Sequence, residues 1–224
     1  MKALTLQPNL VEQVRDAILD EISSGQLAPG DRVIQEQLAQ ALGVSRQPVQ
    51  QALALLRNQG VLQDAPGRGL LVAPLDLEHV SPMYDMRAVI EGLACRRAAE
   101  VGADRAVTQG PALIEAGREA VAGGSVARMI AADMRFHEFL YALSGNPLVG
   151  PSLATHLTYT QRVMGEVLLR DEAPRDIWAQ HAAILQAICE RDADRAEALA
   201  RQHITQASGF MVARLRGKAR DAAA

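Results

Sequence analysis

Four side chains in the second half of the chain have the types and spacing of metal ligands. Asp133 and His137 lie four residues apart, so on a helix both side chains leave the same face one turn apart. Such a pair is more often a surface ion pair, but apolar residues of the same stretch run beside it. His181 and His203 follow in separate later segments, and each borders an apolar stripe. Three imidazoles and one carboxylate that converge would suit a divalent ion of the Zn, Ni, Mn or Fe type.

A metal site of this composition could serve catalysis or hold a ligand. Four protein ligands on a six-coordinate ion leave two positions, which is enough to chelate a small molecule that carries a carboxylate. Arg87, in the segment YDMRAVIE, is a candidate effector-binding residue because a guanidinium can bind a carboxylate through two parallel hydrogen bonds. The alternative for Arg87 is a surface salt bridge with Glu91, four residues later.

These residues need helices to position them, and the pattern after residue 82 is helical. We predict helices near 82–101, 104–122, 125–144, 147–171, 175–191 and 193–216, separated by glycine and proline breaks such as Ala173–Pro174. Gly110–Pro111 should kink or split the second of these helices. Residues 74–82 are predicted to be a linker between two domains. Six helices of this length can form an antiparallel bundle with an internal cavity.

The segment from Ile34 to Gly60 predicts two short helices joined by a tight turn. Gly43 ends the first helix, Ser45 offers its hydroxyl as the cap of the second, and Pro48 falls in the second helix's first turn. The apolar side chains that can face inward are Leu38, Leu42, Val44, Val49, Leu53 and Leu56. The polar residues at the exposed start of the second helix are Ser45, Arg46, Gln47, Gln50 and Gln51. This pattern is typical of a helix-turn-helix, whose second helix enters the DNA major groove; the alternative is an ordinary helical hairpin.

The flanking segments favour the DNA-binding interpretation. Residues 9–24 predict a first helix capped by Asn9, and two short apolar runs, 61–64 and 70–73, flank the turn APGRG and predict a β-hairpin. Three helices followed by a hairpin make a winged helix-turn-helix. Arg68 and Gly69 lie at the hairpin tip, where Arg68 could reach a phosphate or the minor groove; the alternative is a solvated loop arginine. We therefore predict a mainly α protein: residues 1–74 form a winged helix-turn-helix and residues 75–224 an all-α antiparallel bundle.

The composition sets weaker limits. A net charge of −3 does not indicate a nucleic-acid binder, so any DNA affinity must come from a few well-placed arginines. Cys95 and Cys189 are isolated and are expected to be reduced thiols. The sequence shows neither an apolar run long enough for a membrane span nor a secretory signal, and we expect a cytoplasmic protein.

In order and spacing, a set of segments covering nearly the whole chain resembles the GntR-type transcription regulators of the FadR-like subgroup, which carry the helical ligand-binding domain called FCD. The segments are SGQLAPGDRV (24–33), LAQALGVSRQPV (38–49), GRG (67–69), YDMRAVIEGLACRRAAE (84–100), DMRFH (133–137), SGNPL (144–148), HAAILQAI (181–188) and HI (203–204). The resemblance implies a homodimer that binds a pseudo-palindromic operator and responds to a small carboxylic acid. It also implies that Asp133, His137, His181 and His203 are the metal ligands.

The chain departs from the pattern of this family at three glutamines. Gln37 and Gln50 stand where members often carry arginine, whereas Arg46 is kept. Glutamine is neutral and suits adenine, so either the operator differs or the DNA affinity is lower. Gln180 stands where a glutamate commonly precedes the second metal histidine, which should alter the hydrogen bonding that orients His181.

We interpret the chain as a cytoplasmic transcription regulator in which residues 1–74 bind DNA through Ser45, Arg46, Gln47, Gln50, Gln37, Arg68 and Gly69. Residues 75–224 would dimerise and bind a divalent metal with an organic-acid effector. Two alternatives remain open at this level: a metal-dependent enzyme, and a plain metal sensor without an organic effector. A repressor is the form of regulation we expect, although the sequence is also compatible with an activator.

Overall fold

A computed structural model describes residues 10–168 and 177–221, without the side chains of 218–221. The predicted cap Asn9 and the predicted break at Ala173–Pro174 lie outside the described residues. The described residues divide into two compact units: those within Met1–Leu75 and Thr158–Gly165 form the first, and those within Asp76–Leu157 and Glu166–Ala224 form the second. The two are treated separately below.

The first unit contains three helices, a small sheet and one helical segment from later in the chain, Thr158–Gly165. Its elements are α1 (Leu10–Ser23), β1 (Arg32–Val33), α2 (Gln35–Ala41), α3 (Arg46–Asn58), β2 (Leu62–Asp64) and β3 (Leu70–Val72). The strands are antiparallel in the order β1-β3-β2, with Leu62 opposite Val72 and Val33 opposite Leu70. The predicted hairpin is therefore present. Strand β1 was missed, because two residues are too short to show an alternating pattern.

The core of the first unit joins α1, α3 and the sheet. Its fully buried side chains include Ile18, Val49, Leu56 and Leu62. Val49 and Leu56 belong to the apolar stripe predicted for α3, whose spacing places them on one face. Leu42 was predicted to face inward and is exposed instead, because α2 ends at Ala41 and Leu42 begins the turn.

Two turns in this unit depend on glycine. Gly43, between α2 and α3, has a φ of 65°, and Gly67 and Gly69 in the hairpin turn have φ values of 95° and 99°. These left-handed conformations cost other residues free energy. The guanidinium of Arg32 also holds the hairpin turn, donating hydrogen bonds to the carbonyl oxygens of Arg68 (2.9 Å) and Pro66 (3.3 Å). The backbone conformation of the glycines and the side chain of Arg32 on β1 therefore both hold the hairpin turn in place.

The second unit consists of helices. They are α4 (Leu77–Val101), α5 (Ala103–Ala122), α6 (Val126–Leu143), parts of α7 (Val149–Leu168), α8 (Ile177–Cys189) and α9 (Ala193–Asp221). Helix α4 packs along α9, α5 packs against α6 and α8, and α8 packs on α9. Among the described helices, none combines the length and apolar composition needed to cross a membrane.

Two of the predicted breaks are absent. Helix α4 begins at Leu77 and includes Pro82, so most of the predicted linker 74–82 is helical. Asp76 caps this helix by accepting a hydrogen bond from the backbone N–H of Glu78 (3.0 Å), and Val80 is fully buried. Burial and capping outweigh the unfavourable proline. Helix α5 likewise runs through Gly110–Pro111 without being split.

Helix α5 approaches α8 closely because it carries glycines at the contact. A Cβ atom built on Gly117 would lie 2.0 Å from the ring of Trp178, and one on Gly110 would lie 2.4 Å from Leu185. Only glycine allows the two helices to lie this close. The contact brings Trp178 into the interior beside His181.

Candidate functional site

The four predicted metal ligands converge in the interior of the second unit. Asp133 and His137 lie on α6, His181 on α8 and His203 on α9, and all four are buried. The Nε2 atoms of His181 and His203 are 3.2 Å apart. Asp133 places its carboxylate oxygens 3.6 Å from Nε2 of His181 and 3.8 Å from Nε2 of His137. Three helices thus direct three imidazole nitrogens and a carboxylate to one point.

The spacing of these atoms fits a bound divalent ion. Ligand atoms about 2.0–2.2 Å from a shared metal lie roughly 3.0–3.6 Å from their neighbours, depending on coordination geometry. Ligand atoms of His137, His181 and His203 all lie within 4.8 Å of one another, and the three residues could hold a metal ion. Neutral imidazole nitrogens with a carboxylate are a donor set that Zn, Ni, Mn and Fe accept.

Ring contacts fix the orientation of the central histidine. Phe136 stacks on His181 with ring centroids 4.5 Å apart, and Trp178 meets the same imidazole edge-on at 4.7 Å. Nδ1 of His181 is buried and has no hydrogen-bond partner among the described residues. Aromatic packing therefore positions the imidazole of His181. In most metal sites, a hydrogen bond to the other ring nitrogen does this.

The other two histidines have polar partners on their far sides. Oε2 of Glu91 lies 2.6 Å from Nδ1 of His137, and Oε1 of Gln180 lies 2.8 Å from Nδ1 of His203. Gln180 also donates a hydrogen bond to Oε1 of Gln206 (3.0 Å). We expected Gln180 to affect His181, its neighbour in sequence. It instead contacts His203, because its side chain extends across to α9.

Arg87 forms an ion pair with Glu91, which is one of the two alternatives predicted for this arginine. Nε of Arg87 donates to Oε1 of Glu91 at 2.7 Å. The prediction of a surface pair was wrong, because the two side chains are only 2% and 3% exposed. The i+4 spacing signalled the pair but not its burial. Glu91 is the residue near the histidines that sequence reasoning did not identify as part of the site.

The charges around the site shift the pKa values in opposite directions. Burial raises the pKa of Glu91, but the positive charges of Arg87 and His137 outweigh it and hold this pKa well below its ordinary value. Burial and the neighbouring His137 lower the pKa of His203 to about 3, and burial with His203 and His137 lowers that of His181. Both histidines are therefore neutral at physiological pH, the form that binds a metal.

Burial lowers the pKa of His137, but the negative charges of Glu91 and Asp133 outweigh this effect and raise it above the ordinary value.

Two further buried groups lie close to the histidine cluster. The hydroxyl of Tyr141 is buried beside Glu91, and burial together with the negative charge of Glu91 raises its pKa well above the ordinary value. Cys95 is buried on α4, and burial raises the pKa of its thiol. Arg87, Glu91, Asp133 and the three histidines are thus joined in the interior by a buried tyrosine and a buried cysteine.

A groove opens beside the histidine cluster between α8 and α9. Its volume is about 320 Å³. The residues that line it are Ala179, Gln180, Ala183, Leu199, Gln202, His203 and Gln206. His203 is the residue shared by the groove and the cluster, so the groove reaches the edge of the predicted metal site.

The predicted DNA-contacting residues of the first unit are exposed. Ser45, Arg46, Gln47 and Gln50 lie at or near the start of α3. Ser45 occupies the cap position, but its hydroxyl makes no cap hydrogen bond, contrary to expectation. That hydroxyl is therefore not engaged with the helix start.

Arg46 is held by α2. Its guanidinium forms an ion pair with Glu36, and its carbonyl oxygen accepts a hydrogen bond from Gln35 (2.9 Å). The two charged side chains are 69% and 73% exposed. The arginine retained in this region is thus accessible but partly neutralised by a neighbouring carboxylate.

The remaining candidates lie on α2 and on the hairpin turn. Gln37, Arg68 and Gly69 are exposed. Gln50 and Gly69 line a surface groove of about 330 Å³ between α3 and the hairpin, together with Gln35, Leu53, Ala54, Arg57, Asp64 and Leu70. The start of α3 and the hairpin tip therefore belong to one continuous exposed surface of the first unit.

An exposed helix-turn-helix with a wing, in a chain that also carries a buried histidine cluster in a helical bundle, defines a DNA-binding transcription regulator. Residues 10–72 match the gntR family of bacterial regulatory proteins, and residues 82–206 match the FCD domain. The chain belongs to the gntR family and carries an FCD domain, which confirms the resemblance and the fold class. Because these families consist of transcription regulators, the alternative of a metal-dependent enzyme is set aside.

Several relatives agree with this assignment. An HTH-type transcriptional regulator in an unstable DNA locus of Streptomyces ambofaciens is 30% identical over 80% of this chain and 75% of its own. The HTH-type transcriptional repressor RspR of Escherichia coli K12 is 26% identical over 81% and 80%. The solved structure of E. coli McbR/YncC shares the fold, with a TM-score of 0.81 at 20% identity over 92% of this chain and 98% of that chain.

Proposed function

We propose that this regulator binds operator DNA through its first unit and that a small carboxylate effector, chelated by a metal ion in the second unit, controls that binding. The observation that carries the proposal is the convergence of Asp133, His137, His181 and His203 on one buried point. Regulation would be a coupling free energy between the metal–effector site and the operator site.

We assign the DNA interface to Ser45, Arg46, Gln47, Gln50, Gln37, Arg68 and Gly69. Their exposure supports the assignment. Arg46 and Arg68 would contribute the charged contacts, and the glutamines would read base edges. The homologous repressor RspR supports repression as the form of control. A homodimer on a two-fold symmetric operator in the bacterial cytoplasm completes the proposal.

The metal site is tested by replacing His181 and His203 with alanine, singly and together. Bound Zn, Ni, Mn or Fe, measured by elemental analysis of purified protein, should be lost in the double variant. The exposed His79, replaced by alanine, is the control and should leave metal content unchanged. Full metal content in the double variant would refute the site.

The effector is sought by thermal shift of the metal-loaded protein with a library of small carboxylates. An effector should raise the melting temperature and change the affinity for a fluorescent fragment of the gene's own upstream DNA. The double histidine variant should show neither response.

A plain metal sensor is the second candidate, and one observation favours it. The guanidinium of Arg87, the residue we assign to effector binding, already forms an ion pair with Glu91. If the protein is a plain metal sensor, the metal alone would change its affinity for DNA, and no carboxylate would add to that change.

A further inference from the structure

Glu91 joins two residues with different roles in the proposed site. Its two carboxylate oxygens have separate partners: Oε1 accepts a hydrogen bond from Nε of Arg87 at 2.7 Å, and Oε2 lies 2.6 Å from Nδ1 of His137. All three side chains are buried. A buried carboxylate is costly unless it is paired and hydrogen-bonded, and Arg87 and His137 are the two partners that the carboxylate of Glu91 meets.

The two nitrogens of His137 face opposite sides. Nε2 is directed to Asp133 and the other metal ligands, whereas Nδ1 is directed to Glu91. A neutral imidazole carries one proton, and its position decides which nitrogen has a free lone pair. If Nδ1 carries the proton and its N–H donates a hydrogen bond to Glu91, Nε2 is left free to bind a metal.

Among the three histidines, His137 is the one beside a charged group on its far side within the described structure. Nδ1 of His203 faces the neutral amide of Gln180, and the imidazole of His181 is contacted by the rings of Phe136 and Trp178. A carboxylate makes the imidazole a stronger metal ligand than an amide does, because it stabilises the positive charge that the ring acquires on coordination.

We propose that Glu91 is a positioning residue for the metal: it holds His137 in the tautomer whose Nε2 binds the ion, and Arg87 keeps Glu91 in place. This inference rests on the proposed metal site. It assigns to Glu91, which touches none of the metal-facing nitrogens, a measurable part of the metal affinity.

The test uses two double variants that both remove the buried charge pair. Arg87→Met with Glu91→Gln leaves an amide oxygen that can accept from Nδ1 of His137, whereas Arg87→Met with Glu91→Leu leaves none. We expect the affinity for Zn²⁺, Ni²⁺ or Mn²⁺, measured by competition with a chelator, to be about 10–100-fold lower in the leucine variant than in the glutamine variant. Ring ¹⁵N shifts of His137 should show a protonated Nδ1 in the glutamine variant and a mixture in the leucine variant.

A purely structural role for the pair predicts a different result. Both double variants would then lose stability in the metal-free state but bind metal equally, and equal affinities overturn the proposal. The exposed pair Glu115 and Arg118 on α5, changed to leucine and methionine, is the control and should leave metal affinity unchanged. If neither double variant folds, Glu91→Asp keeps the charge but shortens the reach to His137, and unchanged affinity there also overturns the proposal.

The wild-type titration separates this inference from the function on which it rests. A wild-type protein that binds none of these three ions and no Fe²⁺ overturns the metal site itself. A wild type that binds one of them, together with a leucine variant that binds it equally well, overturns only the role of Glu91.

Discussion

At the scale of single residues, Arg46 shows how a neighbour changes what a charged side chain offers to a partner. Its ion pair with Glu36 is exposed, and exposed pairs contribute roughly 0–1 kcal/mol. DNA phosphates can therefore displace Glu36 at little cost, but the carboxylate remains near the phosphates and repels them. The pair should weaken DNA binding more than it stabilises the fold.

We predict that Glu36→Gln tightens operator binding by about three- to tenfold at low salt, because it removes a negative charge beside Arg46 and frees the guanidinium. Fluorescence anisotropy at several salt concentrations measures the effect, and the gain should shrink as salt rises. Glu138→Gln, an exposed change of the same charge on α6, is the control. Equal gains in both variants would mean that only net charge matters.

The residue-level predictions succeeded where helical spacing was informative. Asp133 and His137 were placed together by their i+4 relation, and the apolar stripes around His181 and His203 indicated burial. Glu91 was linked to Arg87 by the same spacing, but the sequence could not show that α6 brings His137 against it. Contacts between distant helices depend on packing, which local periodicity does not encode.

At the scale of elements, the approach of α5 to α8 positions the metal ligands indirectly. Gly117 allows Trp178 to lie against α5, and Trp178 in turn contacts His181. The sequence predicted that Gly110, together with Pro111, would kink or split this helix, and it gave no role to Gly117. In the structure, they shape the contact on which His181 depends.

Gly117→Ala should therefore destabilise the protein by about 1–3 kcal/mol through overpacking against Trp178, and should also weaken metal binding. Gly209→Ala, at an exposed position within α9 with nothing close to the added methyl group, should be neutral or stabilise by about 0.5–1 kcal/mol. Chemical denaturation and chelator competition measure the two effects. A fully stable Gly117→Ala protein would show that α5 can move away from α8 at no cost.

The helices also show that proline and glycine in a sequence do not always predict a helix break. The helices of the bundle follow their apolar periodicity closely, but Pro82 and Pro111 both lie inside helices. Val80 and Ile114 beside them are buried, and this burial offsets the lost hydrogen bonds. A local propensity predicts a break only where tertiary packing does not oppose it.

At the scale of the whole molecule, the proposed function requires energetic coupling between the effector site and the operator-binding site. Linkage makes the exchange reciprocal, so the factor by which an effector changes operator affinity must equal the factor by which operator DNA changes effector affinity. We expect a factor of about 5–150, the usual range for such coupling. Titrating effector with and without saturating DNA measures one side, and titrating DNA with and without effector measures the other.

The variant with alanine at both His181 and His203 gives the control for this coupling. It should bind DNA with the affinity of the metal-free wild type and show no response to effector. If the variant still responds to the effector, the effector acts outside the histidine cluster.

Cys95 offers a way to observe the interior of the bundle open and close. It lies one turn beyond Glu91 on α4 and is buried, whereas Cys189 on α8 is partly accessible. A thiol reagent should modify Cys189 directly but reach Cys95 only through transient opening of the helices. Metal should slow the reaction of Cys95 and leave that of Cys189 nearly unchanged. The ratio of the two rates then reports the free energy of local opening, from two thiols that the chain already contains.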